Sequence, residues 1–336
     1  MKILLHLLIL FFFVSCSTDE LKVDVSDIEI TQPEFKRLDA DLFALNETNF
    51  EASSAALIHS YGPVYQKYLM NPLRIAGTED SLYQSSVLSF IKDKDIRRAH
   101  AEIAKLYPDA KTQSLQTQLL DCIKHFKYHF PKRNIPNQVV FCQTGWNYAF
   151  AYVDHSFLIG LDMYLGQQSE FYKMLSYPQY QVRKMSADYV LPDVARGWLL
   201  TEFDNSEGEN TLLNQAIFYG KLFYAVNALL PESEDSLIIG YTGKQLQYCD
   251  AYEKKLWGYF AEKNRLYENN LELVRELTSD GPFTGSISKE CPPRIAMWVG
   301  WQIVKAYMKN NKTVSLEDLM LEKSATKILN KSKYRP

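Results

Sequence analysis

Most of the chain carries apolar residues at helical spacing, and one short central region has the pattern of β-strands. Apolar positions recurring at i, i+3, i+4 and i+7 predict helices that share a buried face. The predicted helices span about 47–70, 81–107, 114–130, 192–203, 211–230, 243–268, 270–278 and 292–310. Three runs rich in β-branched and aromatic residues, at 138–142, 148–153 and 156–161, predict strands. Their connections are too short for a crossover helix, which favours antiparallel pairing.

Helices, then strands, then helices is an order typical of an α+β fold. We therefore predict a mostly helical body with a small antiparallel meander packed on it. The helix over 211–230 is apolar nearly all round, so it should be buried. Gly220 lies in its middle at a cost of about 1 kcal/mol relative to alanine, which predicts a close crossing with another element. Trp298 and Trp301 lie three apart and should belong to the core instead of forming an exposed platform for sugars.

The first residues, MKILLHLLILFFFVSC, have a different pattern, typical of an export signal. A positive start precedes an apolar run over 3–14, and the small residue Ser15 comes directly before Cys16. The apolar run is too short to cross a bilayer, which needs about 20 residues. We predict a lipoprotein signal peptide over 1–15 that is cleaved to leave Cys16 as an acylated N-terminus.

Two further expectations follow from this N-terminal pattern. The polar stretch 16–27 should be a lipidated tether, and 28–336 should form a single globular domain, since no internal repeat or low-complexity linker interrupts it. The alternative is an ordinary secretory signal with an accidental cysteine. Phe13 favours that alternative slightly, because many bacterial lipoproteins carry Leu at this position.

Charge and composition narrow the classes of function. The 37 Lys and Arg residues and 40 Asp and Glu residues give a formal net charge of −3, with both signs mixed along the chain. Nucleic acid is therefore not an expected partner, because binding it calls for a basic patch or stripe. With 22 Tyr and 18 Phe against only 14 Gly and 13 Pro, the body should be a folded globule and not a disordered stalk.

Four cysteines remain besides Cys16, namely Cys122, Cys142, Cys249 and Cys291. An exported location permits disulfides, but four cysteines allow three pairings and the sequence does not choose between them. Free buried cysteines are an equal alternative. No C-x-x-C is present, so a zinc–cysteine site is not predicted, and neither is any cofactor.

The best metal-binding pattern is Asp121, His125 and His129, which project from one face of a predicted helix at i, i+4 and i+8. Two histidines four apart can share a zinc ion. A polar, solvated helix face is the reading we favour, because no histidine is followed by Glu and the H-E-x-x-H motif is absent from the chain. The motifs G-x-S-x-G, G-x-G-x-x-G and G-x-x-x-x-G-K-[ST] are absent as well, so we expect no enzymatic activity.

Two arginines are candidates for contact with an anion or a partner. Arg294 follows Cys291-Pro-Pro at the start of a predicted helix, where a cation opposes the helix dipole. A carboxylate or a ligand anion should therefore compensate it. Arg196 opens another predicted helix after Pro192, and the same reasoning applies. The alternative for both is an ion pair within the protein.

Several stretches together resemble the gliding motility lipoprotein GldB family of Bacteroidetes. They are IIGYTGKQLQYCDAYEKKLWGYFAEKNRLY, DGPFTGSISKECPPRIAMWVGWQIVKAYM, FKRLDADLFAL, YGPVYQKYL, IGLDMYLG and QAIFYGKLFYAVNALLP, covering about 29–320. The resemblance implies an envelope lipoprotein, anchored in the outer membrane, that is required for movement over surfaces. It also implies association with other envelope proteins of the gliding and type IX secretion machinery, in a scaffolding role without catalysis.

The layout also resembles degenerate zincin metallopeptidases. In that comparison the segment RGWLLTEF over 196–203 lies where a metal-binding helix would be, and it contains no histidine. Tyr219 precedes Gly220 and Lys221 where the second helix would offer an acidic ligand. The resemblance implies a zincin-like scaffold that has lost its metal. A metal-assisted envelope hydrolase is the alternative function.

Overall fold

The structure, a computed structural model, describes residues 21–204 and 210–336. The predicted signal peptide and Cys16 lie outside these residues. The strands are β1 (Glu34–Arg37), β2 (Gln138–Cys142), β3 (Phe150–Val153) and β4 (Ser156–Gly160). The helices are α1 (Leu38–Phe43), α2 (Phe50–Tyr61), α3 (Pro63–Met70), α4 (Tyr83–Lys92), α5 (Lys94–Leu106), α6 (Asp109–His129), α7 (Glu170–Met174), α8 (Gln179–Val182), α9 (Val190–Glu202), α10 (Leu212–Leu229), α11 (Asp235–Ile239), α12 (Gly243–Ala261), α13 (Leu271–Thr278), α14 (Ile295–Asn310), α15 (Leu316–Leu321) and α16 (Ala325–Ser332).

The sheet confirms the α+β class but is mixed, so the predicted antiparallel meander is wrong. Its order is β1-β2-β4-β3, with β1 parallel to β2, β2 parallel to β4, and only β3 antiparallel to β4. The hairpin from β3 to β4 turns so that β4 lies next to β2. All residues of β4 are buried whereas those of β3 are half-buried, and a strand apolar on both faces belongs in the middle of a sheet.

The two faces of the sheet contact two different cores. Alternate residues of a strand point to opposite faces. Phe141 and Ile159 join the large core formed with α6, α9, α10 and α14, whereas Val140 and Leu158 face the smaller core formed by α1 to α4. The sheet is therefore buried between the N-terminal helices and the helical body.

Helices α10 and α14 cross at the centre of the larger core. A Cβ atom added to Gly220 would lie 2.4 Å from the carbonyl carbon of Gly300, which confirms the predicted close crossing. Trp298 and Trp301 are 2% and 0% exposed, as expected for core residues. Of the 18 residues of α10, 15 are buried, as its apolar pattern predicted.

Two long predicted helices are each split in the structure. The segment predicted over 47–70 breaks at Gly62, which has a φ of +56°, and Pro63 begins α3. The segment predicted over 81–107 breaks at Asp93, whose side chain accepts hydrogen bonds from the first turn of α5. Both breaks are set by local capping residues, which a search for hydrophobic periodicity does not detect.

The described end of the predicted tether lies against the body. Val25 is only 5% exposed, and Lys124 Nζ on α6 donates to the carbonyl of Ser26 at 3.0 Å. Lys22 forms an ion pair with Glu232 at 2.9 Å. Within the described ranges, no helix is both long and apolar enough to span a membrane.

Candidate functional site

The loop that ends α11 is held by three arginines, two from the 183–196 region and one from the start of α14. Each arginine donates to one of three successive backbone carbonyls. The bonds are Arg196 Nη1 to Ile238 O (3.3 Å), Arg294 Nη2 to Ile239 O (2.7 Å) and Arg183 Nη2 to Gly240 O (3.0 Å). The loop thus gathers three guanidinium groups into one region.

The conformation of this loop depends on Gly240. Its φ of +72° is left-handed, and a Cβ atom there would lie 3.1 Å from Lys184 Cδ and 3.4 Å from Arg294 Nη2. The next residue, Tyr241, donates its hydroxyl to the carbonyl of Pro293, and the Arg294 guanidinium lies 5.6 Å from the Tyr241 ring centroid. A small residue and an aromatic anchor therefore fix the loop against the start of α14.

Four cations and two carboxylates meet around the loop. We refer to Arg183, Lys184, Arg196 and Arg294 as the cation cluster. Asp280 pairs with Lys184, and its Oδ1 lies 3.3 Å from Arg294 Nε. Arg196 pairs with Asp193, which also accepts from Tyr164 Oη at 3.0 Å.

The cluster retains an excess of positive charge. Burial lowers the pKa of Lys184, and Arg294 and Arg196 lower it further, whereas Asp280 acts in the opposite direction. The side chains of Lys184 and Arg196 are 22% and 25% exposed, so an anion can approach them from solvent. The Nε atom of Arg183 is buried without a hydrogen-bond acceptor, and that of Arg294 contacts Asp280 as an ion pair without hydrogen-bond geometry. The arrangement can therefore bind an anion.

The structure brings together Arg196 and Arg294, the two arginines that the sequence singled out. Asp280 supplies the carboxylate predicted to compensate Arg294. Sequence reasoning missed Arg183 and Lys184, because the short helices around them give no clear periodicity. Their only signal was an adjacent pair of basic residues.

The Asp121, His125 and His129 face of α6 differs from the expected solvated face. His125 is 3% exposed, so that expectation is wrong at this position, and its Nε2 lies 3.7 Å from Asp121 Oδ2. Burial lowers the pKa of His125, and it lowers the pKa of His129 to about 4. Across 21–204 and 210–336, no three His, Cys, Asp or Glu side chains are grouped to hold a metal ion.

In α9 and α10, the two helices that the sequence compared with the metal-binding helices of a zincin, the corresponding side chains make packing and structural contacts. Trp198 of α9 stacks on Phe126 of α6 with ring centroids 3.6 Å apart. A Cβ atom on Gly197 would lie 2.3 Å from the Phe150 ring of β3. On α10, buried Lys221 donates to the carbonyls of Met320 and Glu322 at 3.1 and 2.9 Å, and burial lowers its pKa to about 8. A lysine that ties the C-terminal helices to α10 therefore lies where an acidic ligand was implied.

The four cysteines are all free and buried, so the structure selects that alternative. Burial raises the pKa of the Cys122 and Cys291 thiols to about 12. Such thiols are neutral and unreactive at physiological pH.

Two cavities complete the description. A groove of about 570 Å³ runs between α6, the start of α9 and the 230–237 loop, with Tyr107 and Leu191 among its lining residues. A smaller cavity of about 200 Å³ lies beside Lys221 and the ion pair between Arg133 and Glu202.

A family model described as gliding motility protein GldB matches residues 18–336, nearly the whole chain. The match includes every residue of the cation cluster. No curated protein matches the chain. No solved structure matches it either.

Proposed function

Because the chain belongs to the gliding motility protein GldB family, we propose that it is a lipid-anchored envelope protein that docks other components of the gliding apparatus. Family membership implies a role in gliding motility. The observation that carries the proposal is the extent of the match, since the family covers the whole folded body and not one short motif.

The anchor that we propose is an acylated Cys16 in the outer membrane. A single acyl chain binds a membrane only marginally, whereas several chains hold stably. The stretch from Cys16 to Val25 can span at most about 32 Å when fully extended, and the chain lies against the body from about Val25 onward. An acylated Cys16 would therefore hold the body close to the membrane surface, where anchoring raises the effective concentration near membrane partners.

The partners that we propose are envelope proteins of the gliding and type IX secretion machinery. The best-defined polar site on the described body supports binding as its role. The cation cluster presents fixed hydrogen-bond donors and positive charge, which is the chemistry of anion recognition. A docking role uses this chemistry directly.

Pull-down after cross-linking, from cells that keep the native anchor, tests the docking proposal. We expect gliding or secretion proteins of the envelope to be recovered with the wild-type protein. The Cys16→Ser variant should leave the membrane fraction and recover fewer of them. A variant that stays membrane-bound through its N-terminus would refute the anchor, and recovery of no gliding or secretion protein would refute the docking role.

A further inference from the structure

We propose that the cation cluster is the binding site for an acidic segment of a partner protein, whose carboxylate it takes up. The proposal rests on the docking function in naming a protein as the partner. Anion binding by the cluster itself can be tested without that assumption.

The first support is the geometry of the donors. Three guanidinium groups are fixed by hydrogen bonds to successive carbonyls of one loop, so little side-chain entropy is left to lose when an anion binds. Planar guanidinium forks suit a carboxylate, which they can bind through two parallel hydrogen bonds. The cluster already pairs with carboxylates through single contacts, since Asp193 contacts Arg196 and Asp280 contacts Lys184 and Arg294.

The second support is the imbalance of charge. Among the described residues, Lys184, Arg196 and Arg294 share two carboxylates, and Arg183 donates only to Gln245 and Gly240. Four positive charges therefore face two negative ones, and one or two further negative charges can be bound. The Lys184 side chain, which pairs with Asp280, is 22% exposed. An acidic segment supplies the missing charge, and electrostatic attraction would speed its association.

The third support is the origin of the cluster in the chain. Arg183 and Lys184 follow α8, Arg196 lies on α9, and Arg294 begins α14. A carboxylate bound there bridges the neighbouring α8–α9 region and the start of α14, which is about 100 residues further along the chain. The site therefore forms only when these elements have packed together, so a partner that binds it would recognise the folded protein.

A binding measurement on the mature lipoprotein in detergent tests the proposal, with a hexaglutamate peptide as the probe. Hexaglutamine of the same length and inorganic phosphate serve as comparison ligands. We expect hexaglutamate to bind, with an affinity that falls as ionic strength rises. Hexaglutamine should not bind, and phosphate should bind more weakly than the carboxylate peptide.

Three variants locate the site. Lys184→Gln should weaken hexaglutamate binding about tenfold, because it removes one charged donor. Lys254→Gln makes the same charge change at an exposed position in the second half of α12, outside the cation cluster, and should leave binding unchanged. Asp280→Asn removes a competing carboxylate and should tighten binding, a result that a purely structural role for the cluster does not predict.

Three results would overturn the proposal. They are equal hexaglutamate affinity in the wild-type and Lys184→Gln proteins, weaker binding by a folded Asp280→Asn variant, and binding of phosphate without binding of the peptide. If the peptide fails to bind while pull-down still recovers gliding proteins, the site assignment fails and the docking function stands.

Discussion

Gly300 on α14 lies so close to Ala216 on α10 that a Cβ atom built on Gly300 would be 1.9 Å from the Ala216 carbonyl oxygen. Only glycine fits at position 300, because the atom that a Cβ would meet belongs to the backbone of α10 and cannot rotate away. The closest approach of the two central helices of the larger core is therefore set by the absence of a side chain.

Replacing Gly300 with alanine should force α10 and α14 apart and lower the free energy of unfolding by about 2–3 kcal/mol. Denaturant unfolding of the purified protein measures the change. The matched control is Gly258→Ala on α12, where an added Cβ meets nothing within 4 Å. That control should stabilise the helix by about 0.5–1 kcal/mol, and a Gly300→Ala protein as stable as this control would contradict the packing described.

Stability should fall in mild acid because His129, which is half-buried with its Nε2 atom in the interior, is held as the neutral imidazole. Burial lowers its pKa from 6.5 to about 4, so the unfolded chain takes up a proton before the folded one does. The stability contributed by His129 is complete above pH 6.5 and is lost as the pH falls toward 4, by up to about 3 kcal/mol. His129→Phe should flatten this part of the dependence of unfolding free energy on pH.

Two comparisons isolate the His129 effect. His59→Phe, which makes the same substitution at an exposed position, is the matched control. Asp162, whose pKa burial raises to about 6, works in the opposite direction in the wild type and the variants alike, so it cancels in the difference. Equal slopes for the wild type and His129→Phe would show that His129 titrates normally.

The N-terminal segment should contribute to the stability of the body, since Val25 is buried and the carbonyl of the next residue, Ser26, accepts a hydrogen bond from Lys124 on α6. Val25→Asp places a carboxyl group there without a partner and should cost about 2 kcal/mol. Limited trypsin digestion should then cut after Lys22 faster than in the wild type. Asp27→Ala, at an exposed position, should change neither unfolding nor cleavage. Unchanged cleavage in Val25→Asp would mean that the segment does not depend on Val25 for docking.

Metal analysis separates the docking role from the alternative of a metal-assisted hydrolase. We expect the purified protein to carry no stoichiometric zinc, because in the described part of the chain no three His, Cys, Asp or Glu side chains are grouped to hold a metal ion. About one zinc ion per chain, as in a mononuclear site, that is lost in the His125→Ala, His129→Ala double variant would instead support the hydrolase.

The sequence predicted the long helices of the C-terminal half well, because their hydrophobic period is strong. The region 211–230 corresponds closely to α10, and the Gly220 crossing could be predicted since a mid-helix glycine needs a reason. The sheet was predicted less well. Strand β1 was missed because Glu34–Arg37 has no apolar alternation, and it pairs with β2 across a long stretch of chain.

The cation cluster could be predicted only in part. Arg196 and Arg294 stood out from their places at helix starts, but nothing local in the sequence links either to residues 238–240. Arg183 and Lys184 enter the site through tertiary packing of short helices. Which carbonyl each side chain contacts depends on the tertiary packing of α8, α9, α11 and α14. The spacing of residues along the chain does not predict it.

Surface spreading of the native host after deletion of the gene tests the central claim most directly. We expect the deletion strain to stop spreading, the wild-type gene to restore it, and the Cys16→Ser gene to fail because its product is no longer held at the membrane. Normal spreading by the deletion strain would contradict the account.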